Sequence, residues 1–217
     1  MDLFSRSWTA LRAAVAGLEG GQWAQPSGCT GWLVQDLVFH LVIDAQDVLI
    51  TLVTPTDAEP DMDAVTYWQP ADLPTGVDAE AAFVRRGAAA YRDADGLRHH
   101  FDDLAGAAGR AAAAADPARR VETTDRVITI ADYLGVYVVE WTLHHLDLVA
   151  HLPEVAGPPA EGLAYTRQVL EKFAGTTIGD RLDDTDALRV VTGRRAPTEA
   201  ETAALGTLAA RLPLVLG

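Results

Sequence analysis

Cysteine and lysine are nearly absent from this chain of 217 residues: Cys29 and Lys172 are the only ones. A lone cysteine excludes an internal disulfide and fits a reducing compartment. The remaining basic side chains are arginines that never gather beyond the pairs Arg85/Arg86, Arg119/Arg120 and Arg194/Arg195, while the formal net charge is -14. Such a surface repels phosphate backbones and offers no patch to hold a nucleic acid. No uninterrupted apolar stretch approaches the ~20 residues a membrane span needs. The start, Met1-Asp2-Leu3-Phe4-Ser5-Arg6, has no basic segment leading into an apolar run. These absences point to a cytoplasmic protein without nucleic-acid or membrane partners. Monomer and homodimer both stay open.

The balance that remains, 49% hydrophobic and 22% charged, is that of a folded globular chain. Leu3, Trp8, Leu11, Val15 and Leu18 recur at helical spacing and stop at Gly20-Gly21, which predicts a first helix over 3–19. A second runs from Trp32 to Val53, with Thr30 as its cap and Pro55 beyond its end. Four of the eleven prolines fall within 54–77, a long loop for which Tyr67 and Trp68 are natural anchors. The alanine-rich stretch 78–115 reads as one long helix or two joined near Gly96. After a short polar link, Thr129 with Asp132 three residues on caps a fourth bundle helix reaching Leu152. Pro153 and Gly157-Pro158-Pro159 mark a boundary between a helical bundle, residues 1–155, and a smaller region, 156–217. That region reads as a helix over 160–174, a short strand Ala187 to Val191, and a helix capped by Thr198 that runs to Leu212. The expected fold class is mainly α, a four-helix bundle with a small C-terminal helical or α/β appendage.

On a wheel of about 100° per residue, Glu140 and His144 lie one turn apart, with Tyr133, Asp147 and His151 within about 40° of Glu140. The opposite side carries Leu134, Val138, Trp141 and Val149, broken only by Thr142 and His145, so the polar stripe points inward. An inward carboxylate requires a cation or a hydrogen-bond network. Glutamate and histidine at i and i+4 can share one metal ion, but a third donor must come from another helix. Asp36, His40, Asp44 and Asp47 share an arc of about 80° on the second helix, which makes His40 the natural third ligand and Asp36 or Asp44 its supporting partner. Singly, each residue has a plainer reading: a structural histidine, a surface ion pair, aspartates facing solvent. His99 and His100 read as exposed.

Two segments carry a resemblance. Pro26-Ser27-Gly28-Cys29-Thr30-Gly31-Trp32, continuing through Asp36-Leu37 to His40, and Glu140 to His144 to Asp147, resemble the paired motifs of DinB-like metal-binding bundles. Within these they are similar to the mycothiol-dependent maleylpyruvate isomerase group of actinobacteria. The resemblance covers roughly 1–155 and implies a four-helix fold in which His40, Glu140 and His144 hold a divalent ion. Zinc is the usual ion, with Ni²⁺ or Fe²⁺ as other divalent candidates, and Asp147 stands with Asp36 and Asp44 behind the ligands. Three protein ligands leave an open position, which the resemblance assigns to the sulfur of mycothiol as thiol cosubstrate. The resemblance also implies an arginine from the C-terminal region on an anionic substrate. Arg194 or Arg195 is the candidate, with Tyr67 and Trp68 on the substrate side.

The implied activity is metal- and mycothiol-dependent isomerisation of a small electrophile, or S-transfer to one. Cys29 is not expected to be the nucleophile. Two other classes remain: a non-catalytic metal- or ligand-binding bundle, and a non-haem iron oxygenase, since two histidines and a carboxylate also suit Fe(II). Ferritin-like di-iron chemistry needs two Glu-x-x-His motifs, which the chain lacks.

Overall fold

The computed structural model describes residues 2–217. Asp2 accepts the Ser5 N–H at 2.8 Å and starts α1, Leu3–Ala16, which buries Phe4, Trp8, Leu11 and Val15. A 3₁₀ turn, Gly20–Ala24, leads to α2, Val34–Leu52. Thr30 does not cap α2; the Asp36 carboxylate accepts the Leu33 N–H at 2.9 Å and does so instead. The alanine-rich stretch is two helices, α3, Ala79–Ala89, and α4, Ala94–Ala114. They part before Gly96, because Asp93 accepts the Gly96 N–H at 3.0 Å and opens a new helix there. His100 is half-buried rather than exposed, joined to the Tyr91 hydroxyl.

The polar link after α4 holds a hairpin that the sequence did not announce, β1, Arg120–Thr123, antiparallel to β2, Arg126–Thr129, with Val121 opposite Ile128. Its two-residue turn, Thr124-Asp125, has both φ angles positive, at 49° and 61°, the mirror-image turn that hairpin twist favours. Thr129 then accepts the Asp132 N–H at 3.1 Å and opens α5, Ile130–Leu148. Residues buried all round α5, from Tyr133 and Val136 to Thr142 and Leu146, make it the central helix. α1 packs on α5, α2 on α4, and α1 also on α4, closing a mainly helical bundle.

The loop 54–77 is pinned at both ends of its course. Thr56 and Asp61 donate to Arg120 and Val127 of the hairpin, and Gln69 exchanges two bonds of 2.9 Å with Gly217. Beyond the bundle, α6, Ala160–Ala174, packs on α5, and α7, Asp184–Val191, packs on α6. The expected strand from Ala187 to Val191 is therefore helix. Asp183 accepts the Asp186 N–H at 2.9 Å, and this cap commits the apolar run to helical hydrogen bonding. α8, Glu199–Leu205, starts on Thr198 with Glu201 reaching back to it and ends in a 3₁₀ turn to Arg211. No named strand lies beyond residue 155 among the described residues, so the appendage is helical rather than α/β.

Candidate metal centre

The donors come from the facing polar stripes of α2 and α5. The His40 and His144 rings lie 4.8 Å apart between centroids and nearly perpendicular. His144 Nε2 is 3.4 Å from Glu140 Oε2, one turn earlier on α5, and His40 Nε2 is 3.5 Å from Asp44 Oδ1, one turn later on α2. Donor atoms of His40, Asp44 and His144 all lie within 4.8 Å of one another. Asp44, expected only behind the ligands, thus takes the third place in this cluster, while the expected Glu140 reaches His144 and is not within the same 4.8 Å group. Its other oxygen accepts the indole N–H of Trp141 at 3.1 Å. Trp141 is held by stacking on Trp8, and Trp32 covers His40 at 5.2 Å.

Charge is costly here. Burial pushes the Asp44 carboxyl up to about 7 and raises Glu140 as well. Burial, and then the charge of His144, pulls His40 down to about 4. Two desolvated carboxylates facing two imidazoles form a set that a divalent cation would neutralise and bridge. The donor types suit Zn²⁺ and comparable ions.

The back of His144 is organised separately. Its Nδ1 lies 3.3 Å from Asp147 Oδ2, and the Cys29 thiol donates to the same oxygen at 3.3 Å. Arg194 grips Asp147 side-on, Nε to Oδ1 and Nη2 to Oδ2, both at 2.8 Å. Although burial favours its neutral form, Asp147 is held well below the usual carboxylate range, by Arg194 first and then His144. Cys29, His144 and Asp147 also come within reach of one ion, yet both Asp147 oxygens are committed to a guanidinium. Burial and the Asp147 charge keep the Cys29 thiol protonated, a poor metal ligand and a poor nucleophile.

Of the remaining expected site residues, Asp36 makes no hydrogen bond to His40 and serves as the α2 cap. Arg195 is directed elsewhere, pairing with Asp186 at 3.1 Å and Glu201 at 2.6 Å. Trp68 is buried and Tyr67 half-buried, edge to face at 5.1 Å. Burial first, and then Tyr133 and the charges of Glu140, Asp47 and Asp44, push the Tyr67 phenol up to about 12. The cavity of about 540 Å³ between Pro55 and Arg120 touches none of the donors, so it does not mark this chemistry.

Comparison with known families decides the lineage. The family described as mycothiol maleylpyruvate isomerase N-terminal domain matches residues 4–149. The chain belongs to this family. Neither the curated proteins nor the solved structures compared with it produced a match. The mycothiol maleylpyruvate isomerase N-terminal domain spans α1 through α5 and so contains His40, Asp44, Glu140, His144 and Asp147. Membership carries a mycothiol-related function and a small-molecule thiol as partner. Arg194 and helices α6 to α8 lie outside the matched span. No helix among the described residues is long and apolar enough to cross a membrane.

Proposed function

We infer that this chain is a divalent-metal enzyme that activates mycothiol for isomerisation of, or S-transfer to, a small electrophile. The observation that carries the reading is the convergence of His40, Asp44 and His144 from two helices, with Glu140 3.4 Å from His144, in a domain whose family is mycothiol-related. A divalent ion held there, zinc being the expected one, supplies Lewis acidity that deprotonates a thiol at neutral pH. The chain's own residues do the rest. Asp147 orients the His144 imidazole, Trp141 holds Asp44, and Trp32 covers one flank of His40. Tyr67, on the loop side, offers a phenol that stays protonated and can donate to an anionic oxygen of the substrate.

In the isomerase form, the thiolate adds to a conjugated cis double bond and the π electrons move onto the adjacent carbonyl. Rotation about the resulting single bond and expulsion of the thiolate then give the trans product, with no net oxidation. In the transferase form the carbon–sulfur bond persists. Following a cis enone by ultraviolet absorption with and without mycothiol separates the two. Metal analysis of the purified protein should find one divalent ion per chain, lost in His40→Ala. At metal concentrations near 100 Kd, bound metal should stabilise the fold by about 2.7 kcal/mol. Chelation should accordingly lower the melting temperature by roughly 5–11 °C at ~2–4 °C per kcal/mol for a chain of this size. Unchanged metal content in His40→Ala, or turnover without thiol, would overturn the reading.

A further inference from the structure

His144 is held from both sides, and the hold on its far side comes from outside the matched family domain. An imidazole can present Nε2 to a cation only if the remaining proton sits on Nδ1, and the acceptor that keeps it there is Asp147 Oδ2 at 3.3 Å. Asp147 is almost entirely buried, its side chain 2% exposed. An unpaired carboxylate at that depth would protonate or turn toward water. Arg194 prevents both, because its planar fork engages the two oxygens separately and so fixes rotation as well as charge.

The turn that presents Arg194 is itself braced. Arg195 N donates to Arg189 O at 3.0 Å, Leu214 N donates to Val191 O at 2.7 Å, and Arg195 is tied to Asp186 and Glu201. The guanidinium therefore reaches Asp147 from a rigid platform on α7 and the chain after it. Nε and Nη2 are both committed to Asp147, which leaves the Nη1 edge as the part of this guanidinium not engaged with it.

We propose that Arg194 is a positioning residue of the metal centre: acting through Asp147 it holds His144 with Nε2 turned to the ion, so the C-terminal region completes the metal site. This rests on the metal reading above. It makes metal affinity a property that Arg194 controls.

The test is titration of the metal-free full-length protein with Co²⁺ alone, followed by visible absorption, and then competition by Zn²⁺. Arg194→Ala should bind Co²⁺ roughly 10–100-fold more weakly, the loss typical of removing support behind a metal-bound histidine, with an altered ligand-field spectrum. Arg194→Lys keeps a cation beside the buried carboxylate and so protects the fold better than alanine. If alanine unfolds the protein, this variant carries the test, and it should recover only part of the wild-type affinity, since a single ammonium cannot hold both oxygens. Arg167→Ala is the control. Arg167 bonds the carbonyls of Ile178, Gly179 and Leu182 in the same region without touching His144 or Asp147, so its loss should lower the melting temperature and leave Co²⁺ affinity unchanged. Wild-type Co²⁺ affinity and spectrum in both Arg194 variants would overturn this proposal alone. A wild-type protein that binds neither ion would overturn the metal reading and this proposal together.

Discussion

Gly28→Ala places one methyl group where two segments meet without space for it. A β-carbon at Gly28 would lie 2.5 Å from Asp147 Oδ1 and 2.8 Å from Asp147 Cα. Both distances are about 1 Å inside ordinary van der Waals contact. Gly28 N also donates to Asp147 O at 2.8 Å, so the turn over 26–32 cannot retreat from α5 without losing that bond. Overpacking of this kind costs about 1–3 kcal/mol. At ~2–4 °C per kcal/mol for a chain of this size, the melting temperature should fall by roughly 2–12 °C. Because the pressure falls on Asp147, metal affinity should weaken in the same variant. Gly157→Ala is the matched control, since its β-carbon would meet nothing within 4 Å. It should be neutral or stabilise by about 0.4–1 kcal/mol through the unfolded chain. Melting by circular dichroism decides the matter: a Gly28→Ala protein that melts together with wild type refutes the close-approach reasoning.

Two further outcomes follow from the same structure. His145 is buried, its Nε2 lies 2.8 Å from Ala156 O, and burial pulls its pKa down to about 4 from an ordinary 6.5. Between those values the unfolded chain binds the extra proton, so this contribution to stability is full above pH 6.5 and declines as pH falls toward 4. The total is about 3 kcal/mol at ~1.36 kcal/mol per unit. Urea unfolding should therefore show a shallower pH dependence in His145→Gln over that window, and an unaltered slope would count against the assignment. Thr129→Ala removes the cap of α5 and should cost about 1 kcal/mol, read as a melting shift of roughly 2–4 °C.

Much of the bundle was legible because helical periodicity and caps are local. The spacing of Leu3, Trp8, Leu11 and Val15 marks α1, Thr129 with Asp132 marks the start of α5, and Thr198 with Glu201 marks α8. The hairpin over 120–129 was not legible, since Thr124-Asp125 takes up the positive φ angles that Asn-Gly usually signals. Ala187 to Val191 misled for a related reason. A short apolar run is compatible with strand or helix, and the Asp183 cap that settles it lies four residues upstream.

At the site, the residues of one helix determined which side chains share a stripe, because angle around a helix follows from spacing alone. Spacing therefore grouped Glu140, His144 and Asp147, and separately Asp36, His40 and Asp44. Depth and partner choice do not follow from spacing. Tertiary packing made Asp36 a cap and buried Asp44 beside His40. It also sent Arg195 to Glu201 and Arg194 to Asp147, although the two arginines are adjacent in the chain. Asp147 and Arg194 are 47 residues apart, and only the packing of the α7 turn against the end of α5 brings a buried charge to the one residue that needs it.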